Sequence, residues 1–97
     1  MKKTKLFTRR YNKEEYTFYK LVPEYAGEKG VLGIEEEPYI KVITPENGFG
    51  YTDTVLLSSS SKKAYTLNRD LPKWILKKIE IIMLKEEKKL LEGKMEA

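Results

Sequence analysis

An α+β fold is predicted: a small antiparallel sheet of about four to five strands with two hairpins, followed by one long amphipathic C-terminal helix. Three observations predict it. Aromatic and β-branched residues gather in short runs within residues 4–67, turn-forming residues separate those runs, and apolar side chains recur at helical spacing only beyond residue 70. With 97 residues the chain is the size of one domain with one core, the β-rich part at 4–67 and the helix at about 70–92.

Residues 6–11 and 16–22 flank the polar run Asn12-Lys13-Glu14-Glu15 and read as a β-hairpin. A two-residue turn at Lys13-Glu14 sets Tyr11 opposite Tyr16, Arg9 opposite Phe18 and Phe7 opposite Lys20. One face then carries Phe7, Arg9, Tyr11, Tyr16, Phe18 and Lys20, and the other Leu6, Thr8, Arg10, Thr17, Tyr19 and Leu21. Residues 23–38 hold Pro23, Gly27, Gly30, Gly33 and Pro38 with five acids, which predicts an exposed connection with a short strand at 31–34. A second hairpin is predicted from strands at 39–44 and 49–57 around Pro45-Glu46-Asn47-Gly48; Asn47-Gly48-Phe49-Gly50 is explained by the turn, with presentation of Phe49 to a partner the second reading. The polar loop Ser58–Ser61 and a short strand at 64–67 complete the sheet.

Asn68-Arg69-Asp70-Leu71-Pro72 announces the helix, with Asp70 as its cap, Pro72 in its first turn and Gly93 as its stop. Leu71, Ile75, Ile79, Ile82, Met83 and Leu90 form a stripe for packing on the sheet. Ile81 and Leu84 lie outside that stripe. A helix apolar nearly all round needs cover on a second side, which predicts a homodimer with Ile81, Leu84 and Leu91 at the contact.

The chain has no His or Cys, so disulfides, thiolate metal sites, the commonest general base and the thiol nucleophile are all excluded. Among acids, Asp53 stands alone in an otherwise uncharged run. A metal-binding or acid/base role is one reading of it; a solvent-facing strand residue paired with a Lys or Thr is the preferred one. Glu35-Glu36-Glu37 reads as a solvated loop, and Gly27, Gly30 and Gly33 fit neither the dinucleotide fingerprint nor the P-loop. The expectation is a protein that is not an enzyme and takes no cofactor and no metal.

Charge is unevenly placed. Residues 1–22 carry seven cations and two acids, 23–60 two cations and seven acids, and 61–97 ten cations and six acids, for a net +4. If the fold brings the basic ends together, they make a polyanion-binding face. In the first hairpin Arg9, Arg10 and Lys13 interleave with Tyr11, Tyr16 and Tyr19, and Lys62, Lys63, Arg69 and Lys73 form a second cationic set. Cations that track a phosphate backbone beside rings that stack on bases suit single-stranded nucleic acid. The same hairpin face is also the natural core against the helix, the preferred reading for Phe7 and Phe18, with the tyrosines open to either. Trp74 is read as packing helix onto sheet.

The run Lys62-Lys63-Ala64-Tyr65-Thr66-Leu67 before a Trp-containing amphipathic helix resembles the end of a family of single-stranded-DNA-binding transcription cofactors, in which a basic strand leads into a dimerising helix. The spacing to Trp74 is longer than that family's, and the Gly expected near Ala64 is missing. The resemblance implies single-strand binding by a dimer.

The expected function is therefore a small non-catalytic nucleic-acid-binding protein, single-stranded preferred over duplex. The alternative is a protein-binding regulator or inhibitor of viral or mobile-element type, using the acidic segment 23–38. No stretch is apolar enough to span a membrane and residues 1–5 lead into a strand, so a cytoplasmic location is expected. The excess of Lys and the absence of Gln, His and Cys are features reported for proteins of hot environments.

Overall fold

The computed structural model describes residues 1–25, 27–30, 33 and 37–96, the last four by backbone alone. The strand expected at 31–34 and two of the three consecutive glutamates, Glu35 and Glu36, fall outside the described residues apart from Gly33. The chain forms the expected α+β fold: β1 (Lys2–Tyr11), β2 (Glu14–Val22), β3 (Tyr39–Ile43), β4 (Thr54–Leu57), β5 (Ala64–Thr66) and one helix, α1 (Lys73–Glu96). The strands make a five-stranded antiparallel meander in chain order, β1-β2-β3-β4-β5.

The first hairpin turns one residue earlier than expected, at Asn12-Lys13. Both have positive φ, 51° and 66°, the condition for the primed two-residue turn whose twist matches its flanking strands. Tyr11 therefore faces Glu14, Arg9 faces Tyr16 and Phe7 faces Phe18, replacing the pairs expected from a Lys13-Glu14 turn. A two-residue change of register keeps each side chain on its expected face. A bulge between Lys5 and Phe7 changes that for Leu6, which joins Phe7 against the core where simple alternation had sent it outward.

Tyr16 and Phe18 of β2, Ile40 and Val42 of β3 and Val55 of β4 are buried under Leu71, Ile75, Ile79 and Met83. Ile82 and Leu90 pack at the margin, so the predicted helix stripe is the observed one. The helix itself starts later and ends later than expected. Pro72 occupies the capping position, its carbonyl accepting the amides of Ile75 and Leu76, and no capping bond from Asp70 is found among the described residues. At the other end α1 passes through Gly93 to Glu96, because a glycine inside a helix costs only about 1 kcal/mol and does not by itself stop it.

The second hairpin carries a longer connection than expected. Ile43 pairs with Thr54, and residues 44–53 form a loop tied at its base, where the Thr44 amide donates to the Asp53 carbonyl (2.9 Å) and the Asp53 amide to Thr44 Oγ1 (2.8 Å). At its tip Asn47 Oδ1 accepts the amides of Phe49 (2.8 Å) and Tyr51 (3.1 Å), while Gly50, at φ 82°, closes the turn onto the Asn47 carbonyl (3.0 Å). The strand thus begins at Thr54 rather than at residue 49.

Candidate nucleic-acid interface

At one end of the sheet three separate parts of the chain meet on Arg69. Its amide and that of Asn68 donate to Asp53 Oδ2 (2.8 and 2.9 Å), Nη1 donates to the Pro45 carbonyl (2.8 Å), and Nη2 lies 3.6 Å from Glu14 Oε2. The first-hairpin turn, the 44–53 loop and the entry to α1 are so fastened together. Asp53 is buried and serves this join, not the solvent-facing strand position expected of it. Burial pushes its carboxyl up, but the amides of Asn68, Thr54 and Arg69 and the Arg69 charge outweigh that and hold it below the usual carboxylate range.

The join brings the basic ends of the sequence together. Tyr11, on the last residue of β1, meets Trp74 in the first turn of α1 edge to face, with ring centroids 6.5 Å apart and planes at 89°. Tyr11 also tilts against Tyr16 at 5.5 Å; burial pushes its phenol up, against the opposing charge of Arg9. Arg9 covers the Phe7 ring at 4.2 Å and donates to the Thr8 carbonyl (3.0 Å), so its charge stays at the surface while its stem shields the core. Lys13 and Lys73 are exposed, and neither forms an ion pair among the described residues. Arg9, Tyr11, Lys13, Arg69 and Lys73 are thus gathered at one end.

The remaining expected contacts lie elsewhere. Tyr16 is buried at 2% exposure, so its ring belongs to the core and presents no stacking surface. Arg10 and Tyr19 sit on the sheet face opposite the helix, Arg10 paired with Glu15 (3.0 Å) and Tyr19 beneath the Lys3 ammonium (4.8 Å). Lys62 and Lys63 occupy the β4–β5 turn against the middle of α1, where Lys62 reaches Glu87 (2.9 Å). Glu80 accepts the Ala64 amide (2.9 Å); that bond, the Lys77 ammonium and the nearby Lys63 charge hold its carboxyl low in spite of burial.

Two rings at this end were read otherwise from the sequence. Tyr51, placed in a strand by its neighbours, sits in the loop at 72% exposure and lines a hollow with Asp53, Asn68 and Arg69. Trp74 does touch the sheet through Tyr11, yet half of it faces solvent. Asn47-Gly48-Phe49-Gly50 was the available signal, since glycines on both sides of Phe49 free it from any strand; the ring is 86% exposed.

On α1, Ile81, Leu84 and Leu91 are 57%, 37% and 39% exposed on the side away from the core. Leu91 lines a groove with Tyr65 of β5, the terminal strand of the sheet, and Leu67 just beyond β5 is also exposed. No helix is long and apolar enough to cross a membrane, and the described residues hold no cluster of acids suited to a metal ion. Comparison with protein-family models, curated proteins and solved structures finds no match for this chain.

Proposed function

We propose that this chain is a non-catalytic binding protein for single-stranded nucleic acid and works as a homodimer. One observation carries the reading: the contacts of Tyr11 with Trp74 and of Arg69 with Glu14 and Pro45 unite the two basic ends of the sequence into one surface bearing exposed rings. Lys13 and Lys73 supply charge for phosphates, and Trp74 and Tyr51 supply flat faces for unpaired bases. Duplex grooves are read by an inserted helix or ribbon; here α1 is held along the sheet by its core stripe.

In fluorescence anisotropy with a labelled oligothymidylate, Lys73→Ala is expected to lower affinity for every sequence and to reduce the salt dependence by about one unit. Trp74→Ala is expected to cost on the order of 1 to 3 kcal/mol with the salt slope unchanged. Absence of binding below roughly 10⁻⁴ M at physiological salt would turn the reading to a protein partner.

The homodimer rests on apolar surface that one chain leaves uncovered. Ile81, Leu84 and Leu91 follow one another at helical spacing, and Leu91 shares a groove with Tyr65 of β5, so that apolar surface extends from the helix to the last strand. Leu84→Lys is expected to shift sedimentation from dimer to monomer while the thermal transition of the fold persists. A wild-type chain that sediments as a monomer at high micromolar concentration removes the dimer.

A further inference from the structure

The sheet face opposite α1 carries a second arrangement, independent of the hairpin–helix junction. Across three neighbouring strands the register sets Lys5 of β1, Tyr19 of β2 and Lys41 of β3 in one row. Lys3, two residues back along β1, reaches over the Tyr19 ring at 4.8 Å. One ring therefore has an ammonium over it and a lysine beside it on each neighbouring strand.

No acid answers them: none of Lys3, Lys5 and Lys41 forms an ion pair among the described residues. Lys41 shows the result, its ammonium held below the usual lysine range first by burial and then by the neighbouring charge of Lys3. Concentrated like charge on a half-buried surface is destabilising in isolation, and a bound polyanion relieves it. The next row toward the first turn holds Thr8, Thr17 and Ile43 and no charge, and the next row toward the other end holds Lys3 itself with Tyr39 and the buried Leu21.

We infer that this face is a second nucleic-acid subsite, in which one base stacks on Tyr19 and the phosphates on either side of it are held by Lys3, Lys5 and Lys41. Its ligand is single-stranded, because a ring lying on a sheet reaches only a base free of its partner strand. The Lys3 ammonium, which covers the ring in the free protein, gives that face up to the base and passes to the adjoining phosphate. The inference rests on the function proposed above and extends it: the strand occupies both the junction and the Tyr19 row of the sheet face opposite α1, so binding strengthens with oligonucleotide length until both are filled.

The test is anisotropy with short and long labelled oligothymidylates on the full chain, with circular dichroism to confirm folding. Tyr19→Ala is expected to weaken binding of the long oligonucleotide by about 5- to 150-fold at an unchanged salt slope, and Tyr19→Phe to restore it. Lys41→Ala, which leaves the ring in place, is expected to weaken binding and lower the salt slope by about one unit; it decides the matter if Tyr19→Ala does not fold. Wild-type affinity in Lys41→Ala and in any folded Tyr19→Ala, alongside loss of affinity in Trp74→Ala, overturns the subsite and leaves the junction as the binding surface. A wild-type chain that binds neither oligonucleotide overturns the nucleic-acid reading as a whole.

Discussion

Phe18→Ala is expected to destabilise the protein by about 3 to 5 kcal/mol, a large share of the roughly 5 to 15 kcal/mol that holds a typical domain folded. The ring has no exposed surface. It lies between Phe7, whose centroid is 5.0 Å away across β1, and Val42, its partner across β3, with the helix stripe of Ile75, Ile79 and Met83 above the same cluster. Truncation removes the transfer energy of the ring and opens a cavity that two paired strands cannot close, since their separation is fixed by backbone hydrogen bonds. Urea unfolding followed by circular dichroism measures the loss. A change below about 1 kcal/mol would mean that the helix collapses into the space and that the core is less tightly set than this.

The second large effect is expected at Asp53, where alanine should cost about 2 to 4 kcal/mol. Its Oδ2 is the acceptor for two consecutive amides, Asn68 and Arg69, and each amide left without a partner costs about 1 to 3 kcal/mol. The lower part of that sum applies because the two bonds are only partly buried. Its acid dependence follows from the depressed carboxyl. The unfolded chain, with an Asp pKa of about 3.9, binds the proton more readily than the folded one, so the contribution is complete above that value and fades as pH falls through the lower folded pKa. Denaturation from about pH 6 to about pH 2 should show a shallower acid limb for Asp53→Ala than for the wild type. Parallel limbs would place the acid sensitivity in other carboxylates, of which Glu80 is the first to examine.

Architecture was legible where pattern has a fixed period. The helix stripe from Leu71 to Leu90, the alternation in β2 and an antiparallel sheet with two hairpins all follow from spacing alone. The turn of the first hairpin was not, because four consecutive polar residues offer three possible pairs and the choice fell to backbone geometry: Asn12 enters the left-handed region readily, and Lys13 follows it at some cost. The bulge at Leu6 left no mark in composition. Asp53 was read as a solvent-facing strand residue because its partners lie 15 and 16 residues downstream and are backbone amides, which every residue type except proline provides. For the candidate interface, the ingredients were visible as interleaved cations and rings; their distribution was not. Sequence proximity grouped Tyr16, Tyr19, Lys62 and Arg69 into two clusters, while pleating sends Tyr16 and Tyr19 to opposite faces and the β4–β5 turn carries Lys62 toward Glu87.

The order of the strands has a consequence for how the molecule comes into being. Every strand pairs with its neighbour in the chain, so the sheet can be assembled progressively during synthesis, each new strand finding its edge already present. The element that covers it is made after all five. At roughly 5 to 20 residues per second, Tyr16, Phe18, Val42 and Val55 face water for seconds before the helix emerges to cover them. During that interval the nascent sheet has one apolar face and a ribbon of lysines and arginines along β1, at positions 2, 3, 5, 9 and 10. Charges of one sign along an edge repel a second such edge, so this ribbon also keeps unfinished chains apart.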